Sequence, residues 1–207
     1  MTFYSPSDSK FTRHYREEVE MVFSAIDCVL NSEKAIYCSS ELTTGLRLYE
    51  AMRKHGVRSR PELEEKLGKE WVRTNIFAVN EKSANDFAQS VRHTLSDKTM
   101  VITPAPFSVP GWSQPEYLAF WETLIRTRIK SAWFNHRWEF SNGCTFEFAV
   151  AQDAGISTLT REGRPLDRQA GIKAIKSAIE QLTGLGFDAA KLNQNLERLQ
   201  AERVPAG

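Results

Sequence analysis

Cysteine is scarce in this chain, which contains only Cys28, Cys38 and Cys144, and no two of them form a C-x-x-C pair. Three widely separated cysteines exclude a disulfide framework and give no zinc-ligand spacing, so we predict reduced thiols and no metal site. Apolar runs are also short, since none approaches the roughly 20 residues of a membrane span. Residues 1–10 lack the apolar segment of a signal peptide, and we therefore expect a cytoplasmic protein without a membrane anchor.

Neither sign of charge is in excess, because 27 Lys and Arg residues face 26 Asp and Glu residues, for a net charge of +1. This balance argues against nucleic acid as a partner, so any phosphate group must be bound locally. The chain does have the composition of a folded protein, with 207 residues of which 41% are hydrophobic and 11% aromatic. That length is enough for one domain with a substantial core.

Short apolar segments alternate with amphipathic helical patterns along the chain. Five segments have the length and composition of buried strands, at 34–40, 75–80, 99–107, 130–138 and 156–162. This alternation predicts an α/β fold, a three-layer Rossmann-like domain with a mainly parallel sheet of about five strands.

The strand and helix pattern occupies the middle of the chain and has helical segments on both sides. We predict an N-terminal helical arm at 1–33, an α/β core at 34–165 and C-terminal helices at 166–207 that pack on the core. Ligands of parallel sheets bind beyond the carboxyl ends of the strands. The candidate site therefore lies on the loops at 39–45, 104–114 and 135–147.

The segment 138–155 contains the most informative candidate residues. Ser141 and Asn142 are favourable helix N-caps and Gly143 permits a close backbone approach, so the following helix presents free N–H groups to an anion or a sugar. Glu147 lies about one turn into that helix, where the helix dipole favours a carboxylate that can act as nucleophile or base. An ordinary first-turn acid is the alternative, although a capping box places Glu three residues after the cap, not five or six.

Two other side chains are candidates on different grounds. Trp112 stands in a loop next to Gly111, where its indole could stack on a nucleobase, and packing in the core is the alternative. Cys144 lies at the predicted helix N-terminus, where the pKa of a thiol falls, so a cysteine nucleophile is a second hypothesis. No His or Asn partner for Cys144 is identifiable, and a small buried side chain under the Gly143 turn is its alternative role.

Three motifs occur in order along residues 35–160. The first is the strand and loop AIYCSSELTTG, and the second is the pattern W-S-Q-x-x-Y-x-x-x-W from Trp112 to Trp121. The third is S-x-G-x-x-x-E, followed by an alanine and a glycine, at Ser141, Gly143, Glu147, Ala151 and Gly155. In this order the motifs resemble the nucleoside 2-deoxyribosyltransferase superfamily, which includes the nucleoside 5′-monophosphate N-glycosidases.

The resemblance implies cleavage of an N-glycosidic bond. It implies that Glu147 is the nucleophile, which attacks the anomeric carbon and forms a glycosyl-enzyme intermediate that water or a second base resolves. No cofactor is expected, and enzymes of this kind commonly form homo-oligomers in which a neighbour closes the site. Together with the loop positions, the resemblance gives the expected substrate contacts: Ser39, Ser40, Trp112, Gln114, Ser141, Asn142 and Gly143.

The choice between a nucleoside and a nucleotide depends on two positions. Transferases of the superfamily tend to carry an acid where this chain has Ser141, whereas the nucleotide hydrolases carry a serine that holds the 5′-phosphate, so Ser141 favours a phosphorylated substrate. Glu41 is a departure, since the hydrolases place glycine and arginine in this loop and a carboxylate repels a phosphate.

Several alternatives stay open at this point. Hydrolase and transferase share the first half-reaction, and the base and the sugar are not specified. A non-catalytic nucleotide-binding sensor would use the same crevice without turnover. An NAD-type glycohydrolase would apply the same carboxylate chemistry to a dinucleotide.

Overall fold

Four parallel strands form the sheet of this α/β fold, seen in a computed structural model that describes residues 11–31, 33–95 and 99–201. The order across the sheet is β2-β1-β3-β4, and each neighbouring pair is parallel. Since β1 and β3 lie in the centre, their carboxyl ends define the edge where ligands of such sheets bind. The strands are β1 (Ala35–Ser39), β2 (Val101–Ile102), β3 (Ile129–Phe134) and β4 (Ser157–Thr160).

Helices connect the strands and cover both faces of the sheet. A π-helical turn at Arg73–Phe77 and a 3₁₀ turn at Trp138–Phe140 precede two of them. The α-helices are α1 (Arg13–Leu30), α2 (Leu46–Lys54), α3 (Arg60–Leu67), α4 (Lys69–Val72), α5 (Ala78–Thr94), α6 (Gln114–Arg128), α7 (Asn142–Asp153), α8 (Arg168–Gly184) and α9 (Ala190–Gln200).

The described sheet has four strands and not five, because the segment 75–80 is helical. It begins in the π-helical turn and continues into α5. Buried positions here repeat every four residues, at Val72, Ile76 and Asn80, which is the spacing of a helix face. A short apolar run does not distinguish a strand from a buried helical segment, so the strand predicted at 75–80 was wrong.

The other four predicted strands are present in shortened form. The third is reduced to β2, since the chain turns away at Pro104 before it can extend the ladder. The fourth ends at Phe134, and three residues later Arg137 takes a left-handed conformation with φ of 63°. Both ends leave irregular segments at the carboxyl edge of the sheet, where the candidate loops were predicted.

Strand β1 is buried on both faces. Its side chains point alternately to the two faces, so every second residue of β1 faces the site. Ile36 and Cys38 pack in one cluster with Phe87 of α5. Tyr37 and Ser39 point to the opposite face, because side chains two residues apart in a strand share a face. On that face the Tyr37 ring lies 5.8 Å from the ring of Trp121 of α6.

The terminal helices pack on this core. Tyr15 of α1 donates a hydrogen bond of 2.7 Å to the carbonyl of Glu116, while α8 and α9 lie against α7. Among the described residues, no helix combines the length and the apolar character needed to cross a bilayer. Residues 1–10 of the predicted arm and residues 202–207 of the predicted C-terminal segment lie outside the described ranges.

Candidate functional site

The candidate site is built around the first two turns of α7. Ser141 caps this helix as expected, since its hydroxyl accepts a hydrogen bond of 3.4 Å from the N–H of Cys144. Glu147 then falls on the second turn and is buried, with 7% of its surface exposed. The local sequence therefore directs a carboxylate inward from a helix that starts beside the carboxyl edge of the sheet.

Glu147 meets β1 through a short hydrogen bond. The hydroxyl of Ser39 donates to Oε2 of Glu147 at 2.5 Å, and the Ser39 side chain is fully buried. The Tyr37 hydroxyl faces the same carboxylate, although the two groups are not aligned as a regular hydrogen bond. Because Tyr37 and Ser39 are two residues apart on one strand face, β1 supplies both hydroxyls that lie next to Glu147.

The surroundings of Glu147 bring its pKa close to neutrality. Burial raises the pKa of Glu147 to about 7, while the Ser39 hydrogen bond and the nearby Tyr37 hydroxyl keep it from rising further. Burial, together with the adjacent carboxylate, raises the pKa of Tyr37 well above its usual range, so this phenol stays protonated. Glu147 can therefore exchange between acid and carboxylate near pH 7, which suits a nucleophile or a proton-transfer group.

The loop after β1 contacts the first turn of α7. Thr44 Oγ1 accepts a hydrogen bond of 3.2 Å from the N–H of Asn142 and lies 3.3 Å from the Ser141 hydroxyl. Ser40, on the same loop, is 5% exposed, and its hydroxyl has no hydrogen-bond partner among the described residues. Two of the three segments predicted to form the site, 39–45 and 135–147, are thus in contact.

Glu41 does not face the cleft as an unpaired acid. Its Oε2 accepts a hydrogen bond of 2.9 Å from the N–H of Leu46, so the carboxylate caps the N-terminus of α2. Burial raises the pKa of Glu41 to about 7, against the lowering effect of that hydrogen bond and of Arg47. Gly45 permits the arrangement, since its φ is 137° and a Cβ would lie 2.0 Å from Oε2 of Glu41.

A cleft of about 1040 Å³ opens above Glu147. One part of its lining is polar and comes from the β1 loop and from the start of α7: Ser40, Thr43, Thr44, Ser141, Asn142 and Gly143. A second part is mainly apolar and comes from the loop before α6 and from α6 itself: Pro104, Phe107, Gln114, Tyr117, Leu118 and Trp121. Such a combination suits a ligand with one polar and one aromatic end.

Six of the expected site residues line this cleft, namely Ser40, Gln114, Ser141, Asn142, Gly143 and Glu147. Ser39 lies beneath Glu147 and contacts the carboxylate rather than the open space. Trp112 is not brought to the cleft, because its indole N–H donates to Glu18 of α1 at 2.8 Å and its ring packs among other aromatic side chains. Trp121, the last residue of the same motif, lies in the cleft wall.

Helix α9 contributes a third part of the lining that the sequence motifs did not indicate. The Asn195 amide donates hydrogen bonds of 3.2 Å to the carbonyl of Asn142 and 2.8 Å to the hydroxyl of Thr145. These bonds fix α9 against the first turn of α7 and bring Lys191 and Arg198 to the cleft. No sequence signal near α7 points to residues 50 positions later, so only the tertiary structure reveals them.

The structure gives less support to chemistry at a cysteine or at a metal ion. Cys144 is buried, and burial raises the pKa of its thiol despite its place at a helix N-terminus, which removes the basis for a reactive thiolate. Cys28, Cys38 and Cys144 are all free thiols. Within the ranges that the structure describes, no group of three His, Cys, Asp or Glu side chains is placed to hold a metal ion.

Comparison with known proteins gave no match to a family model, to a curated protein or to a solved structure. Similarity to the nucleoside 2-deoxyribosyltransferase superfamily therefore stays a hypothesis, which rests on the three motifs in order along residues 35–160.

Proposed function

We propose that this chain is an enzyme that cleaves the N-glycosidic bond of a nucleoside or a nucleoside 5′-monophosphate, with Glu147 as the nucleophile. The observation that carries the proposal is a buried carboxylate, titrating near pH 7, that borders a cleft with one polar and one aromatic wall. The resemblance of the motifs to the 2-deoxyribosyltransferase superfamily supports the same chemistry.

Glu147 and Ser39 carry the bond-making steps of the proposed reaction. A carboxylate oxygen of Glu147 attacks the anomeric carbon, and the N-glycosidic bond breaks with its electron pair on the departing base, which takes up a proton from solvent water. The hydroxyl of Ser39 holds the other carboxylate oxygen and so orients the attack. Water, or a second base in a transferase, then attacks the anomeric carbon, loses a proton to solvent and releases Glu147 as a carboxylate.

The mainly apolar part of the lining, from α6 and the loop before it, provides a surface for the leaving base, and we call it the aromatic wall. Three aromatic rings line this part of the cleft, those of Phe107, Tyr117 and Trp121. Contacts with aromatic rings stabilise a bound nucleobase whichever base it is. Gln114 is the amide on this wall, and its donor and acceptor can pair with a base edge. The sugar would then lie between this wall and Glu147.

Base release tests the proposal directly. The wild-type protein and the Glu147→Gln variant are incubated with nucleosides, their 5′-monophosphates and NAD, with and without a second free base, and the products are separated by chromatography. We expect release or exchange with the wild type and a loss of at least about a thousandfold in the variant, because the covalent step has no nucleophile.

Glu65→Gln is a matched control, since Glu65 is exposed on α3 and distant in sequence from the lining residues. It should turn over substrate at the wild-type rate. If Glu147→Gln still releases base at that rate, Glu147 is not the nucleophile. If neither protein releases base but both bind nucleotides, a non-catalytic sensor replaces the enzyme as the best description.

The size of the cleft favours a second candidate substrate. At about 1040 Å³ the cleft lies at the upper end of the range of roughly 300–1,000 Å³ for small-molecule sites, which leaves room for a dinucleotide. The same carboxylate chemistry would break the nicotinamide–ribose bond. Release of nicotinamide from NAD at a higher kcat/KM than base release from mononucleotides would favour this candidate.

A further inference from the structure

The loop between β2 and α6, residues 103–113, forms part of the aromatic wall although it belongs to no helix or strand. Phe107 places its ring in the cleft lining, and this ring stacks on Phe120 of α6 with 4.8 Å between the ring centroids. The hydroxyl of Tyr117, also on α6, accepts a hydrogen bond of 2.8 Å from the N–H of Val109. These contacts tie the loop to the helix into which it leads.

A second anchor of this loop comes from α1, through Trp112. The indole N–H of Trp112 donates a hydrogen bond of 2.8 Å to Oε2 of Glu18. Oε1 of the same carboxylate lies 3.2 Å from Nε2 of His14, one turn earlier on α1. The Glu18 side chain is 23% exposed, so most of it is shielded from water. A hydrogen bond to an ionised acceptor is roughly twice as strong as one between neutral groups.

Ring packing around Trp112 connects α1 to the cleft. The indole lies against the ring of Tyr15 of α1, with 4.9 Å between the centroids, and it meets the ring of Phe107 edge-on at 5.9 Å. Tyr15 is 1% exposed, and its hydroxyl bond to the carbonyl of Glu116 fixes α1 against the start of α6. A chain of direct contacts therefore runs from Glu18 through Trp112 to Phe107 in the cleft.

Helix α1 lies outside residues 35–160, the part of the chain that resembles the 2-deoxyribosyltransferase superfamily, so the resemblance gives this helix no role. The bond from Trp112 to Glu18 joins residues 94 positions apart, whereas Tyr117 and Phe120 hold the loop from the next helix along the chain. Removing the Glu18 carboxylate should therefore loosen the loop without changing any residue of the cleft lining.

We propose that Glu18 and Trp112 are positioning residues, which hold the loop at 103–113 in the conformation in which Phe107 contacts the base of the substrate. This inference rests on the proposed function, because it assumes that the cleft binds a nucleoside or a nucleotide. A loop that is already held in its bound conformation loses less conformational entropy when the ligand binds. The pair acts on binding and not on bond cleavage, since the proposed nucleophile Glu147 belongs to α7.

Hydrogen exchange of the loop amides tests the anchor without a ligand. The N–H groups of Phe107 and Trp112 donate hydrogen bonds to carbonyls within the loop, so their exchange reports its opening. We expect exchange in the peptide 104–112 to be about tenfold faster in Glu18→Ala than in the wild type. In Glu18→Gln, whose side-chain carbonyl can still accept the indole N–H, it should stay within about twofold of the wild type. Glu20→Ala removes an exposed acid of the same helix, and this matched control should leave exchange unchanged.

Base release from the panel of nucleosides and 5′-monophosphates shows whether the anchor serves binding. For the best substrate of the panel, Glu18→Ala and Trp112→Phe should each raise KM about fivefold to tenfold and leave kcat within about twofold of the wild type, as expected when an interaction common to ground state and transition state is lost. The double variant should have the KM of the single variants, because both substitutions remove the same bond. Glu18→Gln should keep KM within about twofold of the wild-type value.

The outcomes separate this proposal from the proposed function. If loop exchange in Glu18→Ala equals that in Glu20→Ala, or if KM is unchanged in Glu18→Ala, the positioning proposal is wrong, and base release that depends on Glu147 would still support the glycosidase. If the wild type releases no base from any member of the panel, the proposed function is wrong and the role in base binding falls with it. Faster loop exchange together with a raised KM, both absent in Glu18→Gln, supports the assignment.

Discussion

Glu147 is subject to two opposing influences, burial that favours its neutral acid and neighbouring hydroxyls that favour its carboxylate. Burial is the larger, because the pKa of Glu147 rises to about 7 even with the Ser39 hydrogen bond in place. Only the carboxylate can attack an anomeric carbon, so the proposed activity should increase as pH rises through about 7. In the proposed reaction Ser39 would act as a positioning residue that keeps more of Glu147 ionised at neutral pH.

Replacing Ser39 by alanine should shift this rise in activity to higher pH. A hydrogen bond to a charged group contributes about 1.5–3 kcal/mol, which corresponds to one or two pKa units. We therefore expect the pKa of Glu147 to rise by at least about one unit in Ser39→Ala. The pH profile of kcat/KM for base release measures it, and a ¹³C NMR titration of the Glu147 carboxyl, assigned with Glu147→Gln, measures it without turnover.

Ser157→Ala is the control for this experiment, because Ser157 is an exposed serine at the start of β4. It should leave both the profile and the NMR titration unchanged. An unaltered Glu147 titration in Ser39→Ala would show that the hydrogen bond does not set the pKa of the nucleophile.

Glu147 should also cost the protein stability at neutral and alkaline pH. The folded state keeps its proton up to about pH 7, whereas an ordinary glutamate loses it near 4.5, so the wild type loses stability as pH rises between these values. Glu147→Gln removes this cost, and we expect the variant to be about 3 kcal/mol more stable at about pH 8 and nearly equal to the wild type at about pH 4.5. Urea unfolding at both pH values measures the difference, and equal stability at both would contradict the raised pKa.

Helix packing provides a test that does not involve the cleft. Gly171 of α8 lies against Phe148 of α7 so closely that a Cβ would be 2.1 Å from the ring. Phe148 is fully buried, so its ring has no free space to move into. Gly171→Ala should lower the free energy of unfolding by about 1–3 kcal/mol through overpacking, despite the gain of about 1 kcal/mol in helix propensity.

Gly184→Ala is the matched control for Gly171→Ala. Gly184 is at the end of the same helix, and a Cβ there would meet nothing within 4 Å. We expect this substitution to leave the unfolding midpoint unchanged or to raise it slightly. A stability of Gly171→Ala equal to that of Gly184→Ala would contradict the close packing of α7 and α8.

Elements with strong local signals were predictable from the sequence, and elements defined by their neighbours were not. Helix α7 has a serine cap and a continuous apolar pattern, so its start followed from the chain itself. The burial of Glu147 did not, and it raises the pKa of this carboxyl where the helix dipole was expected to favour the carboxylate. Segment 75–80 is a short apolar run without such signals, and packing of Ile76 on a helix face decided its conformation. The apolar pattern of a segment does not show which other parts of the chain the segment packs against.

The candidate site shows the same division. Ser141, Asn142, Gly143 and Glu147 belong to one helix start, so their proximity was predictable. The indole N–H of Trp112 pairs with Glu18, a residue 94 positions earlier, and that contact takes the side chain away from the cleft. Such long-range pairings leave no periodic trace in the sequence, and this is why the contribution of α9 was missed as well.

A network of ion pairs centred on the buried Glu122 joins helices α6, α7 and α9 beside the cleft. Glu122 of α6 is 1% exposed and accepts hydrogen bonds from Arg126 and from Arg198 of α9. Arg198 also bonds to Asp153 at the end of α7, so its guanidinium joins three helices. Because α9 lines the cleft, the same contacts that stabilise the fold also hold one wall of the site in place.

Replacing Arg198 by methionine should therefore affect both stability and the site. Removing one partner of a buried pair costs about 3–5 kcal/mol, and we expect the lower end, a fall of about 3 kcal/mol in the free energy of unfolding, because Glu122 keeps Arg126 as a partner. Arg13→Met, which breaks an exposed pair with Glu17, should change it by less than about 0.5 kcal/mol. Urea unfolding measures both, and hydrogen exchange should show faster opening of α9 in Arg198→Met only. If adding Glu122→Gln to Arg198→Met restores no stability, the loss comes from lost packing of the arginine stem, and the buried charge is not its cause.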